Sequence, residues 1–496
     1  MLGTGISPWI LLLAATQICS GGLIPEDGVL GRNAGNEAQH ESQGQGNANT
    51  PPRAGYVRLP VKRHLFNGTG AWPWGWHWSP PPYMIPPMWP PSPSMPGQGP
   101  PSTWPRTTSY PGGSPSQSAP PAYSSSPTKK PINRRWGWEH LGDLGGIAYV
   151  IEVSIGTPPQ TVRIFVDTGS YELWVNPRCN SSADPSICQK SGIYYPNKSN
   201  SSTYVGGNFA VTYGTGAVKG SYWADIVNIA MVQLPAVQFA VADDSNYTFS
   251  GILGLGYSYP YSISYPSVLN LMVSQKLIGA PIFSLGLGGE GDGFSEIIFG
   301  GVNRWKFTGP LEPVPIWPPI SQQDPHWIQY WVNVTSVGMS KPNQHPFVFT
   351  PLDTFNMPTL LDTGSTLSYV REDLVAAIGS NFNATVDAAG NYIVDCSYRK
   401  QNGTVDFGFN RGRMVINVSY KDFIYEQIPG RCWLGVQPQD PGSTNYVLGD
   451  TFIRGAYLVF DQQSDVVWMN QYYNCGDGVV TVGQSVKDTQ YVVGQC

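Results

Sequence analysis

The sequence predicts an all-β protein built from two related lobes, and three observations carry that prediction. Asp-Thr-Gly occurs twice, at Asp167-Thr168-Gly169 and Asp362-Thr363-Gly364, each closing an apolar run and leading into a second one. Between Ile147 and Met469, short runs rich in Val, Ile, Tyr and Phe alternate with Gly, Pro and Asn turns. The span from Ile147 to Cys475 is 329 residues, too long for one ordinary β-barrel, so two β-rich lobes fit it better.

Composition agrees. Charged residues make up 12% of the 496, against about 25% in an average soluble domain. Gly, Pro, Ser, Tyr and Trp fill the difference and favour strands joined by turns. A formal charge of −5 is mild, so nucleic acid and anionic membranes are not expected partners.

Residues 1–21 read as a signal peptide. The apolar run Trp9–Ala15 is too short to span a membrane and small residues follow at Ser20-Gly21-Gly22, although no basic residue precedes it. Sequons at Asn67, Asn180, Asn197, Asn200, Asn246, Asn333, Asn383, Asn402 and Asn417 add to a secreted reading. Six cysteines remain once Cys19 leaves with the signal peptide, an even number suited to an oxidising compartment. Local spacing suggests Cys179–Cys188 and Cys396–Cys432, leaving Cys475 for Cys496, although six cysteines allow 15 connectivities. No cysteine pair has metal-ligand spacing and the six histidines are scattered, so neither metal nor cofactor is expected. No hydrophobic tail ends the chain, which disfavours a lipid anchor there and stable membrane insertion.

Residues 22–138 read as a propeptide or disordered Pro-, Trp- and Ser-rich segment. Its first part is polar and lacks apolar periodicity. Residues 71–131 carry Trp72, Trp74, Trp76, Trp78, Trp89 and Trp104 among prolines, a polyproline-like linker or, alternatively, a carbohydrate-stacking stretch. Basic pairs at Lys62-Arg63, Lys129-Lys130 and Arg134-Arg135 are candidate processing sites or plain solvated charge. A first lobe is expected over 139–306, a second over 307–475, and a C-terminal extension over 476–496. Strand-like runs include 147–155, 209–213, 296–299 and 457–460; helical candidates are few, at 267–275 and 371–378.

Carboxylates rarely end buried strands unless a paired site needs them there. One Asp-x-Gly would be an ordinary turn; two with matched flanks suggest halves facing each other. The neighbourhood Ile155-Gly-Thr-Pro-Pro-Gln160, Phe165-Val-Asp-Thr-Gly-Ser170 and Leu173-Trp-Val175 closely resembles the pepsin-like aspartic peptidases, of the secreted fungal type. Further shared segments are Val211-Thr-Tyr-Gly-Thr-Gly216, Gly251-Ile-Leu-Gly-Leu-Gly256, Phe299-Gly-Gly301, the second Asp-Thr-Gly and the run 446–461, in matching order over nearly all of 147–475.

The resemblance implies a bilobal pepsin-like acid protease fold with the active-site cleft between its lobes, and a catalytic pair, Asp167 and Asp362. Two close carboxylates sharing one proton can deprotonate water and protonate a substrate carbonyl, a pairing for which aspartic peptidases are themselves the standard example. Gly169 and Gly364 lack side chains that would bar a substrate backbone. Thr168 and Thr363 are implied to bond between the lobes, and Ser170 and Ser365 to donate to the outer carboxylate oxygens. Tyr213, Gly214 and Thr215 are implied to form a flap over substrate, with Tyr213 bonding to Trp174. Phe165, Phe249 and Ile252 match pocket positions beside the scissile bond, with generic core as the plain alternative. Val57–Arg63 resembles the first strand of an inhibitory prosegment, which implies a zymogen.

The reading is a secreted, monomeric aspartic endopeptidase acting on polypeptides at acidic pH. Its rivals are a non-enzymatic binding module on the same fold and a glycosidase using two carboxylates.

Overall fold

The runs of Val, Ile, Tyr and Phe form strands because alternate side chains find a core on at least one face. A computed structural model describes residues 57–63 and 149–496, apart from 183–184, 214–215, 230–231, 249, 290–294, 325–327, 352–353, 389 and 486. The expected signal peptide, the polar stretch and the Trp/Pro-rich segment lie outside the described residues, as do sequon Asn67 and the sites Gly214, Thr215 and Phe249.

Strands dominate. The expected runs appear as Tyr149–Ile155, Thr203–Thr212, Ser295–Phe299 and Ala456–Asp461. The two expected helices are Val268–Ser274 and Glu372–Asn381. Ser267 caps the first by accepting from the Asn270 amide, and Asn270 answers the Ser267 amide; the second has Glu372 and Asp373 in its first turn, favourable against the helix dipole. Helices Pro185–Lys190, Tyr420–Phe423 and Asp450–Ile453 were not foreseen; four to six residues carry no readable period. The result is the all-β, two-lobed architecture expected.

One thirteen-stranded sheet joins strands from both ends of the chain, and sheets of eight and four strands belong to the second half. The two halves repeat one local topology. Gln160–Asp167 pairs in parallel with Gly251–Gly254, as Met357–Leu361 does with Tyr446–Leu448. Leu173–Val175 then runs antiparallel to Gly251–Gly254, and Ser368–Val370 antiparallel to Tyr446–Leu448. Each Asp-Thr-Gly thus leaves a central strand whose neighbour is an apolar-apolar-Gly segment. That repeat is why the flanks match in sequence.

The strand Val57–Arg63 lies inside the large sheet, antiparallel to Ser295–Phe299 through Val57–Val61 and to Tyr149–Ile155 through Lys62 and Arg63. Arg58 pairs there with Glu296, which is 1% exposed, and with Asp477 at 2.7 Å. Asn303 donates to both carboxylates, at 2.8 Å to Glu296 and 3.0 Å to Asp477. The C-terminal extension holds two short strands, Val479–Thr481 against Gly301–Asn303 and Val493–Gln495 against Thr308–Pro310. Disulfides join Cys179–Cys188, Cys396–Cys432 and Cys475–Cys496, with Cα atoms 5.2, 5.3 and 5.4 Å apart. Among the described residues, no helix is long and apolar enough to cross a membrane.

Candidate active site

Asp167 and Asp362 are fully buried and face each other. Each carboxylate is held by its own loop in the same way. Asp167 accepts from the Gly169 amide at 2.8 Å and the Ser170 hydroxyl at 2.6 Å; Asp362 accepts from the Gly364 amide at 2.8 Å and the Ser365 hydroxyl at 2.7 Å. A Cβ on Gly169 would stand 2.5 Å from Asp362 Oδ1, and one on Gly364 would stand 2.8 Å from Asp167 Oδ1. The glycines are therefore needed for the carboxylates to meet, a closer constraint than room for a ligand backbone.

Thr168 and Thr363 tie the two loops together. The Thr168 hydroxyl donates to the Leu361 carbonyl at 2.8 Å, and the Thr363 hydroxyl to the Val166 carbonyl at 2.9 Å. The amides of Thr168 and Thr363 donate to the opposite hydroxyls. These four bonds satisfy the amide and the hydroxyl of both threonines in a buried setting.

Burial raises both carboxyl groups, Asp362 well above the ordinary carboxylate range. The charge of Asp167 adds to the rise at Asp362, and the hydrogen bond between the two lowers Asp167 while raising Asp362. Two carboxylates in one dry site cannot both ionise at little cost, so the pair keeps a proton.

Tyr213 follows the strand Thr203–Thr212, and its amide donates to the Gly216 carbonyl at 2.7 Å, closing a hairpin onto Ala217–Ile229. The Trp174 indole donates to the Tyr213 hydroxyl at 2.6 Å. Phe165, Ile252 and Phe209 join both rings in one buried cluster. Burial, then the charge of Asp167, hold the Tyr213 phenol protonated.

Sequence reasoning missed several residues at this site. Glu172 accepts from both Tyr222 and Tyr265 at 2.8 Å, linking the hairpin and a distant loop to the first Asp-Thr-Gly. Gln329 and Tyr330 reach from the second half into the first, to the carbonyls of Gly169 and Leu255. No local pattern announces such pairs, which lie 50 to 160 residues apart.

Two buried carboxyl groups that face each other between repeated β-units fit an aspartic-type peptide hydrolase. Residues 148–472 match the family of eukaryotic aspartyl proteases, and the chain belongs to it. It is 29% identical over 356 residues to a probable aspartic-type endopeptidase, opsB, of Aspergillus oryzae, covering 68% of this chain and 71% of that one. It is 31% identical over 337 residues to the aspartic proteinase yapsin-3 of Saccharomyces cerevisiae, covering 63% of this chain and 64% of that one, just under two thirds of yapsin-3. Candidapepsin-3 of Candida albicans is 28% identical over 343 residues, covering 66% of this chain and 79% of its own.

Proposed function

We propose that this protein is a secreted aspartic endopeptidase, made as a zymogen, that hydrolyses polypeptides at acidic pH with water activated by Asp167 and Asp362. The observation carrying the reading is the pair itself: two buried carboxyl groups held by equivalent donors. Burial raises both, which favours one proton kept between them.

The chemistry follows from that proton. The ionised carboxylate takes a proton from water as its oxygen bonds to the scissile carbonyl carbon, while the protonated carboxyl gives its proton to the carbonyl oxygen. The resulting tetrahedral diol collapses as the protonated carboxyl gives its proton to the nitrogen, the ionised one takes a proton from a diol hydroxyl, and the C–N bond breaks. The free carboxylic acid and the amine depart, and the pair again holds one proton. Burial favours this by keeping one carboxyl protonated where a solvated one would have lost its proton.

The hairpin at Tyr213 serves as the flap, and Phe165 and Ile252 belong to the pocket for an apolar side chain. The lobes divide at about 306–307. The strand Val57–Arg63 belongs to the prosegment, and in the sequence the Trp/Pro-rich segment stands between it and the first lobe. Secretion is supported by the leader-like N-terminus, the sequons and the three disulfides. The name of one related Candida albicans protein, secreted aspartic protease 3, is in keeping with it.

The test is cleavage of an unbiased peptide mixture between about pH 3 and 7, with peptides mapped by mass spectrometry. Apolar residues beside the cut and a mature N-terminus beyond residue 63 support the reading; absence of any cleavage after processing opposes it.

A further inference from the structure

Gln329 stands in the second half of the chain, is 4% exposed, and donates its side-chain amide to the carbonyl of Gly169 at 2.7 Å. That carbonyl belongs to the rigid peptide plane joining Gly169 to Ser170, and these two residues supply the donors to the Asp167 carboxylate, the Gly169 amide at 2.8 Å and the Ser170 hydroxyl at 2.6 Å. Fixing the plane fixes where both donors start. We propose that Gln329 is a positioning residue of the catalytic pair: its bond to the Gly169 carbonyl holds the Ser170 hydroxyl on Asp167 and so makes the two aspartates unequal.

The surroundings suit a fixed strut. Gln323 holds the Gln329 backbone from both sides, accepting from its amide at 3.0 Å and donating to its carbonyl at 3.5 Å, and Gln323 also donates to the Pro318 carbonyl at 2.9 Å. The next residue, Tyr330, donates to the Leu255 carbonyl at 2.7 Å, and the Leu255 amide donates to the Asp167 carbonyl at 2.8 Å. Consecutive side chains thus grip both segments that flank Asp167. Gln462 completes the brace, donating to the Tyr330 hydroxyl at 2.6 Å. Among the described residues, no side chain donates to the Gly364 carbonyl, so Asp362 lacks an equivalent strut. The titratable groups facing Asp167 are Asp362 and Tyr213, both from other segments and neither attached to Gln329.

The inference rests on the proposed role of Asp167 and Asp362, and the full chain, cleaved by one added protease in wild type and variants alike, serves for the test. Gln329→Met keeps the shape and removes the donor. Its kcat/KM is expected to fall about tenfold, the worth of one hydrogen bond, mostly in kcat. The acid limb of its pH profile is expected to rise by about half a unit, because Asp167 loses a donor to its ionised form. Gln329→Glu is the rescue: its protonated carboxyl can still donate to Gly169, so activity should hold in acid and fall steeply once it ionises. A Met variant with normal stability and an unmoved pH profile overturns the proposal, as does a Glu variant whose profile follows wild type. A thermal midpoint reduced in Met and Glu alike, with both profiles unmoved, makes the residue merely structural and also overturns it. Wild-type protein as inactive as Asp167→Asn overturns the functional reading itself, which separates the two failures.

Discussion

Thr168 and Thr363 exchange hydrogen bonds across the two halves of the molecule, each amide donating to the other's hydroxyl at 3.1 and 3.0 Å. The exchange sets the distance between the loops that carry Asp167 and Asp362. Thr168→Val keeps the shape but strands the Thr363 amide and the Leu361 carbonyl in a dry site. Loss of about 2–4 kcal/mol is expected in urea unfolding, with activity reduced more than Thr168→Ser reduces it. Equal stability of the Val and Ser variants would show that the exchange does not hold the loops.

Tyr213 and Trp174 give the second prediction. Their 2.6 Å bond fixes the start of the hairpin. Tyr213→Phe retains the ring but loses that bond, so kcat/KM should fall about tenfold while the thermal midpoint moves little. Steady-state kinetics and a melting curve on one preparation separate the two effects.

Stability should depend on pH through the raised carboxyl groups. A group whose folded pKa lies above its unfolded value stabilises fully below the unfolded value and loses that contribution as pH rises through the folded one. Asp167 and Asp362 are both raised by burial, so the native state should weaken from about pH 4 upward. Asp362→Asn, which cannot ionise, should melt above wild type near neutrality and match it more closely in acid. Calorimetry across that range checks the sign.

Arg58 carries the counter-charge for Glu296 inside the large sheet. Arg58→Ala leaves a buried carboxylate unpaired, at a cost of about 3 kcal/mol. Burial already raises Glu296, despite Arg58, so the cost should shrink in acid as the carboxyl takes up a proton. Adding Glu296→Gln should recover most of the loss at neutral pH. Denaturant midpoints of the single and double variants at two pH values test it.

What was legible in the sequence was local or repeated. The Asp-Thr-Gly copies, the hairpin at Tyr213 and the two longer helices announce themselves within a few residues, because strand ends, turns and caps are short-range chemistry. The duplication made the site readable, since one unit confirms the other. The cysteine pairs were suggested by spacing alone, and the disulfides follow that spacing. Gln329, Glu172 with its two tyrosines, and the Arg58–Glu296–Asp477 cluster were illegible because their partners come from distant segments that only the folded sheets bring together. The hairpin was foreseen only near its tip: Thr203–Thr212 is largely exposed and lacks the apolar alternation that would have revealed its length.

The central claim is that Asp167 and Asp362 form one proton-sharing catalytic unit. Peptide cleavage by the processed protein, measured from about pH 3 to 7 for wild type, Asp167→Asn and Asp362→Asn, tests it most directly. The expected result is acid-favoured activity in wild type and a loss of at least about a thousandfold in either variant, both folded by circular dichroism. Either variant cleaving at the wild-type rate would contradict the account.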